Sequence, residues 1–340
     1  MSRLRVGVIG MGVGLEHVAS YEAHPACSVT TLCDFSPERL KQASALHPGK
    51  RLCDDAYDVL TDPRIDVVSI ASYDGDHAAQ VLAALKAGKH VFVEKPLCLN
   101  ADEAREIRRV AGLYPEQLLS SNLVLRSVPR FRWLKQQMEH DVLGRVFAIE
   151  GDYLYGRFSK ILSGWRGKTP GYSGVLGGGI HLVDLMLWIT GDRVQRVVGF
   201  GSRIATQAEN AAGSGSNFQN YDHVAALLLF RSGMVGKLGV SLGCVHPHFH
   251  RLSVFGTRGT YVNGRAGGEL FLSRDRDADV IHGPADDGWS KADLIHSFLN
   301  AILDGGQPAV TLDEVLSGLS VCFAVEQSAH EGKTVAVDYV

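Results

Sequence analysis

The chain has 340 residues, 45% of them hydrophobic and 21% charged, with a formal net charge of −3. That composition is ordinary for a soluble globular protein, the length suits two domains, and the charge gives no reason to expect a nucleic-acid surface. No apolar run reaches the ~20 residues of a membrane helix. The N-terminus leads into a strand without a signal-peptide pattern. Cys27, Cys33, Cys53, Cys98, Cys244 and Cys322 show no CxxC pairing, so reduced thiols in a cytoplasmic protein are expected.

Leu4–Ile9 is a near-continuous apolar run, as in a parallel strand buried on both faces. The turn Gly10–Met11–Gly12–Val13–Gly14 follows, then a helical stretch from Leu15 to His24 that stops before Pro25. Strand, glycine turn and helix form the context in which a GxG is meaningful. Gly10 allows the tight turn, and Gly12 lets a pyrophosphate approach the backbone at a helix N-terminus. The third glycine of GxGxxG falls at Leu15, with Gly14 one residue early, which puts close helix–strand packing in question. Ser28–Cys33 reads as a second strand ended by Asp34, at the spacing of the carboxylate that binds the adenosine ribose. A carboxylate there favours NAD over NADP, while Ser36 and Arg39 could tolerate a 2′-phosphate. The alternative for Asp34 is a helix cap, but Ser36–Pro37 makes a better one.

Strands at Arg51–Cys53, Asp66–Ala71, Val91–Val93 and Leu118–Ser121 alternate with helices at Asp55–Leu60, Asp76–Ala87 and Asn100–Gly112. Repeated βα units predict a doubly wound parallel sheet, a Rossmann-type domain over 1–121. Ser72, Tyr73 and Asp74 fall at a carboxyl strand end, on the expected cofactor side. His77 is as readily a structural first-turn residue as a cofactor contact. In His90–Val91–Phe92–Val93–Glu94–Lys95–Pro96, Pro96 ends the strand and makes a rigid turn. Lys95 would then be held at the strand's carboxyl end, where ligands sit in open α/β sheets. Taken alone, this is a surface Glu–Lys pair.

Gly10–Met11–Gly12, Asp34, Ala87–Gly88–Lys89–His90–Val91 and Glu94–Lys95–Pro96 together resemble the Gfo/Idh/MocA family of NAD(P)-dependent oxidoreductases. The AGKHVFVEKPL segment is the specific part. The stretch Asn122–Pro129 resembles the family's N-x-R-x-x-P, two residues longer here. The resemblance implies a second domain over 122–340, α/β with an open, mostly antiparallel sheet that binds substrate and self-associates. It also implies action on sugars, inositols or related polyols. Within it, the E-K-P lysine binds the reacting oxygen and its proline is often cis. The expected cofactor residues are Gly10, Met11, Gly12, Val13, Gly14, Asp34, Phe35, Ser72, Tyr73, Asp74, His77, Glu94, Lys95 and Asn122, with NAD the expected cofactor and NADP possible. Arg126 and Tyr155 are candidate substrate contacts.

Farther on, Phe131–His140 reads as a helix and Gly144–Tyr155 as a long strand. Arg157–Tyr172 lacks a period and carries Trp165, Arg166, Lys168 and Tyr172. Such a loop could close over a polyol or be a structured surface loop. Ile180–Ile189 is apolar except at His181 and Asp184, which lie three apart on one helix face. Burying both costs free energy unless each is paired. The alternatives are a satisfied structural pair and a site-lining face. Because His181 matches the family's histidine, the second is favoured, with His181 as acid or base and Asp184 orienting it. Many relatives carry an aspartate four residues before that histidine; here the position is Gly177.

Strands are expected at Arg196–Ile204, Asp222–Phe230, Gly233–Leu242, Arg251–Phe255, Thr260–Val262 and Glu269–Leu272, and a mobile loop at Asn210–Asn220. His246, His248 and His250 share a face if extended. With no paired carboxylate spacing, no metal is expected there. Amphipathic helices at Ser290–Leu303 and Leu312–Gly332 and a strand at Thr334–Val337 close the chain.

The activity expected is hydride transfer between NAD(H) and a sugar, inositol or other polyol. Lys95, Arg126, Tyr155, Trp165, Lys168, Tyr172 and His181 are the candidate substrate residues. Two alternatives remain: an NAD-assisted glycosidase or epimerase with no net redox change, and a non-catalytic dinucleotide sensor. Retention of both Lys95 and His181 argues against the sensor. An open sheet face must be covered, so a homodimer or homotetramer is expected, without nucleic-acid or membrane partners.

Overall fold

The computed structural model describes residues 3–169, 171–265, 267–285 and 290–340. The chain divides into two compact units, one reaching to Ser127 and including Ser290–Leu316, the other comprising Val128–Trp289 and Ser317–Tyr339.

The first unit holds six parallel strands: β1 (Leu4–Ile9), β2 (Cys27–Cys33), β3 (Arg51–Cys53), β4 (Val67–Ile70), β5 (His90–Val93) and β6 (Leu119–Ser121). Their order, β3-β2-β1-β4-β5-β6, is the doubly wound order of a dinucleotide-binding domain. The last four residues of β1 and all of β4 are buried, as expected for strands covered by helices on both faces. Polar side chains fix the helix starts. Ser36 accepts from the Arg39 N–H ahead of Pro37, and Asn100 from the Glu103 N–H while Glu103 accepts from the Leu99 N–H. Lys89 is buried and donates to the carbonyls of Asp62 and Ile65, both at 2.7 Å, which fastens the loop before β4 to the start of β5.

The sequence reading assigns all of 122–340 to the second domain, whereas the structure returns Ser290–Leu316 to the first unit. The cause is the helix Ala292–Asp304, whose Leu294, Ile295, Phe298 and Leu299 are buried; Phe298 meets Phe92 of β5 at 5.7 Å. His296 Nε2 also lies 2.8 Å from the Ser20 carbonyl.

The second unit is built on a nine-stranded sheet. Its strands are β7 (Val146–Leu154), β8 (Val194–Ser202), β9 (His223–Phe230), β10 (Val235–Ser241), β11 (Phe249–Gly256), β12 (Thr260–Gly264), β13 (Gly267–Phe271), β14 (Ile281–His282) and β15 (Val335–Ala336). The order is β14-β13-β12-β11-β7-β10-β9-β8-β15, and every pairing is antiparallel except β7 with β10. On one face, Leu182 and Met186 of the helix Ile180–Thr190 press on Gly151, and Ser328 Oγ accepts the Gly199 N–H at 2.9 Å. On the other face β9 alternates strictly, leaving Leu227 and Leu229 exposed beside Phe200 and Val235.

Two local expectations change. The segment after Tyr155 is not irregular throughout: Ser159–Leu162 and Trp165–Lys168 each form one helical turn; Pro170 lies outside the described residues. The stretch Asn210–Asn220, expected as a loop, begins inside the helix Ile204–Ala211, and Asn210 in its last turn bonds both the N–H and the carbonyl of Ser216, at 2.8 and 3.1 Å. No helix among the described residues is long and apolar enough to cross a membrane.

Candidate active site

The turn after β1 is shaped by three glycines with three different tasks. Gly10 has φ +91°, and a Cβ on it would overlap the Ala71 carbonyl at the end of β4. Gly12 has open space where a Cβ would be, with Arg39 Nη1 nearest at 3.7 Å, so a diphosphate can approach its backbone. Gly14 starts the helix Gly14–Glu22, and a Cβ there would lie 3.2 Å from Val8 and 3.4 Å from Ala71. Gly14 therefore supplies the close helix–strand packing that its early position had put in question.

Asp34 is locked to this turn. Its Oδ2 accepts the Met11 N–H at 2.7 Å, its Oδ1 accepts the Ser36 N–H at 2.9 Å, and Arg39 Nη1 lies 3.7 Å away. Next to it Phe35 is exposed, its ring 5.7 Å from that of Tyr73 after β4. Val13 is exposed and Met11 buried. Ser72 donates to Gln80, and Asp74 is buried in a single turn, Asp74–Asp76. These residues fit a dinucleotide: a glycine turn open to phosphate, a carboxylate at the ribose spacing and an aromatic pair at the strand ends.

The Lys95–Pro96 peptide bond is cis. His77 is fully buried, with Nδ1 2.7 Å from the Pro96 carbonyl and Nε2 3.3 Å from that of Ser72. Its ring thus ties the Pro96 turn to the loop after β4 and is not exposed to a cofactor; the structural side of its sequence reading is the one its surroundings fit. Glu94 is the hub beside Lys95. Its Oε1 accepts from Asn122 Nδ2 at 2.8 Å and lies 3.2 Å from His17 Nε2, while Oε2 accepts the Lys95 N–H at 3.2 Å. Burial pushes the Glu94 carboxyl up, but the His17 and Asn122 hydrogen bonds and the Lys95 charge bring it down to about 2. His17 also meets Ser69 Oγ at 2.9 Å. The sequence reading missed His17; its only signal is a polar residue on the buried face of the first helix. Arg126 was expected to touch substrate, but its buried guanidinium donates to Glu314 at 2.7 Å and to the Ala309 carbonyl at 3.0 Å. It is engaged in holding the 309–314 segment.

In the second unit, Val175–Gly179 forms a π turn that runs into the helix bearing His181. Such turns recur at functional sites. A Cβ on Gly177 would overlap the Tyr172 hydroxyl, and one on Gly178 would overlap the Tyr153 ring. The glycine run thus lets two tyrosines lie against the backbone just before His181. The His181 ring is 5.6 Å from that of His250, which is 5.0 Å from His248. Tyr153 meets both imidazoles, at 5.2 and 5.5 Å, and Tyr155 meets His248 at 5.6 Å. Trp165 packs on Tyr172 at 6.1 Å, while Lys168 is exposed on its turn. Asp184 is buried, and its charge adds to burial and to Glu326 in raising the Cys322 thiol. His181 and Tyr155 therefore share one aromatic cluster with Tyr153, His248 and His250, which the sequence reading set aside, while Trp165 and Tyr172 pair beside it, Tyr172 lying against Gly177.

Residues 4–118 match the oxidoreductase family with an NAD-binding Rossmann fold, and residues 131–262 match the GFO/IDH/MocA C-terminal domain. The chain belongs to the Gfo/Idh/MocA family of oxidoreductases. As a member it carries the NAD-binding domain whose glycine turn and Asp34 are described above, and NAD is its cofactor. Among its relatives is the myo-inositol 2-dehydrogenase of Thermotoga maritima, 26% identical over 99% of both chains. Another is the levoglucosan dehydrogenase of Pseudarthrobacter phenanthrenivorans, 25% identical over the whole of both. The fold matches a levoglucosan dehydrogenase complex with NADH and L-sorbose at a TM-score of 0.87 and 22% identity, covering 99% of each chain. It matches the Lactobacillus plantarum myo-inositol 2-dehydrogenase at 0.84 and 24% identity, covering 99% of this chain and all of that one.

Proposed function

We propose that this family member is an NAD-dependent dehydrogenase of a sugar, an inositol or a related polyol. The observation that carries the reading is Lys95, set at the carboxyl end of β5 beside a partly buried, ionised Glu94 in a dinucleotide-binding sheet. The named activities of full-length relatives on inositol and levoglucosan support the substrate class.

In this reading NAD, when bound, supplies the hydride acceptor or donor. The turn Gly10–Gly14 holds its diphosphate, Asp34 its adenosine ribose, and Phe35 with Tyr73 its adenine. Asp34 repels a 2′-phosphate, which sets NAD above NADP. Glu94 and Asn122 fix the backbone from which Lys95 reaches the substrate oxygen. Lys95 as ammonium stabilises that oxygen as negative charge develops. His181 takes the hydroxyl proton during oxidation and returns it during reduction, a role worth typically ~10²–10⁴-fold in rate. Asp184, on the same helix, is a candidate for orienting it. Tyr155, Trp165 and Tyr172 offer flat apolar faces to sugar C–H groups.

The test is a panel of sugars and polyols with NAD and, in parallel, NADP, followed by NADH absorbance. Net NADH formation with at least one of them is expected; substrate consumption without net NADH would instead support the epimerase or glycosidase alternative.

We also infer that the exposed face of the second sheet docks a second copy of the chain. Phe200, Leu227, Leu229 and Val235 form an apolar strip next to Asp152, which pairs with Lys237 at 2.8 Å and with Arg251. A self-complementary strip of this kind suits a two-fold interface. Leu227→Asp should shift the sedimenting species to a smaller one; a wild-type monomer at micromolar concentration would sink the idea.

A further inference from the structure

Cys33 and Cys53 end neighbouring strands beside the cofactor turn, and hydride transfer uses neither thiol. The parallel register of β2 and β3 sets the two residues directly opposite each other. Opposed residues of a parallel pair send their side chains to the same face of the sheet. Neighbouring strands run about 4.7–4.9 Å apart, within the Cα separation of about 4.4–6.8 Å that a disulfide accepts. Cys53 Sγ leans toward β2, 3.8 Å from the Leu32 carbonyl oxygen. The two thiols hydrogen-bond each other. That bond raises Cys33, with burial adding to the rise, and lowers Cys53 against burial and the charges of Asp58 and Asp54. Cys53 is also the more accessible, at 8% against 2%, and β3 is the edge strand of its sheet. Cys53 therefore suits the attacking thiolate, with Cys33 as its resolving thiol.

The same two residues carry the cofactor turn on their backbones. The Cys33 carbonyl accepts the Gly10 N–H at 2.8 Å, and the Cys53 carbonyl accepts the Asp34 N–H at 3.3 Å. Asp34 in turn accepts the Met11 N–H at 2.7 Å. The ends of β2 and β3 thus set where the glycine turn and the ribose carboxylate stand. A disulfide holds its Cβ atoms about 3.8 Å apart, about 1 Å closer than the strand spacing. Closing the bond pulls on both anchors.

We propose that Cys33 and Cys53 form a reversible disulfide on exposure to a hydroperoxide, and that its closure weakens NAD binding. The Cys53 thiolate attacks the peroxide oxygen, the O–O bond breaks, and the departing alkoxide or hydroxide takes up a proton. The Cys33 thiol then attacks the sulfenic sulfur, and hydroxide leaves as water with the Cys33 proton. Two electrons pass from the thiols to the peroxide, and an external dithiol returns them. In a reducing compartment a disulfide of this kind serves redox sensing rather than structure. The device acts through NAD binding by the first unit and is independent of the substrate taken by the second.

The experiment treats the full chain with hydrogen peroxide, removes the peroxide, and maps the digest by mass spectrometry without reductant. NADH affinity is measured by fluorescence titration before oxidation, after it, and after dithiothreitol. A linked Cys33–Cys53 peptide is expected, with NADH bound at least about fivefold more weakly and recovery in dithiothreitol. Coupling is reciprocal, so saturating NADH should shift the disulfide equilibrium toward the dithiol by the same factor. That arm needs no substitution in the core. Cys53→Ala should abolish the peroxide response of NADH affinity, and Cys33→Ala should leave a sulfenic acid at Cys53 that dimedone traps. Oxidation of the half-buried Cys244 without the Cys33–Cys53 link overturns the proposal. So does a link that leaves NADH affinity unchanged, or an affinity loss that persists in Cys53→Ala.

Discussion

Glu94→Gln tests the hub beside Lys95. The Glu94 carboxyl is held at about 2 against an ordinary 4.5. At about 1.4 kcal/mol per pH unit, ionisation of this one group is worth about 3–4 kcal/mol to the folded state. Because the folded value is the lower one, that stability is fully present above 4.5 and is lost as the pH falls toward about 2. In the glutamine variant one end of the side chain becomes a donor. It must face either the Lys95 N–H or the Asn122 amide and His17, so at least one buried donor loses its acceptor. We expect the variant to be less stable by about 2–3 kcal/mol at pH 7, with the gap narrowing by about 1 kcal/mol at pH 4. Urea unfolding followed by far-UV circular dichroism, with amide exchange in β5 to identify the unit that opens, measures both. A gap that is absent at pH 7, or unchanged from pH 7 to pH 4, would refute the assignment of Glu94 as an ionised anchor.

Other outcomes follow from the same contacts. Asp34→Ala should narrow the preference for NAD over NADP by about tenfold, ~1.4 kcal/mol, in a fluorescence titration; equal wild-type affinities would remove the premise. Gly178→Ala should destabilise the second unit by about 1–3 kcal/mol, since the new methyl overlaps the Tyr153 ring. In a Tyr153→Ala background, itself destabilised, the same glycine substitution should cost much less in a melting experiment. Arg126→Ala should lower stability by about 1–3 kcal/mol through the Glu314 and Ala309 contacts, while KM for the substrate stays within twofold; a large rise in KM at unchanged stability would return Arg126 to the substrate site.

The nucleotide-binding half was legible because its signals are local. An apolar run, a glycine turn and a helix follow one another within about twenty residues, a spacing that a single pass can read. The E-K-P turn was legible through resemblance and its place after a buried strand. What escaped the sequence depends on partners far along the chain. His17 bonds Ser69 and Glu94, and Arg126 finds Glu314 at a separation of 188 residues. The return of Ser290–Leu316 to the first unit has no signature in the helix itself, which is amphipathic and could cover either sheet. Gly177 looked like the loss of a carboxylate. Its space is taken by the Tyr172 hydroxyl, a tertiary contact that no spacing rule shows. The π turn over Val175–Gly179 was likewise hidden, because three consecutive glycines break any hydrophobic period. His248 and His250 were read for metal ligation, and their approach to Tyr153 and His181 emerges only once β7 and β11 pair.

The central claim is that Lys95 and His181 serve hydride transfer with NAD. The most direct test is steady-state NADH formation by wild type, Lys95→Ala and His181→Ala with the best substrate from the panel, alongside NADH affinity. The account predicts net NADH from the wild type and a fall in kcat of about 10²–10⁴-fold for the histidine variant, a comparably strong fall for the lysine variant, and NADH affinity within twofold throughout. Near-normal turnover by either variant, or a loss that tracks weaker NADH binding, would contradict it.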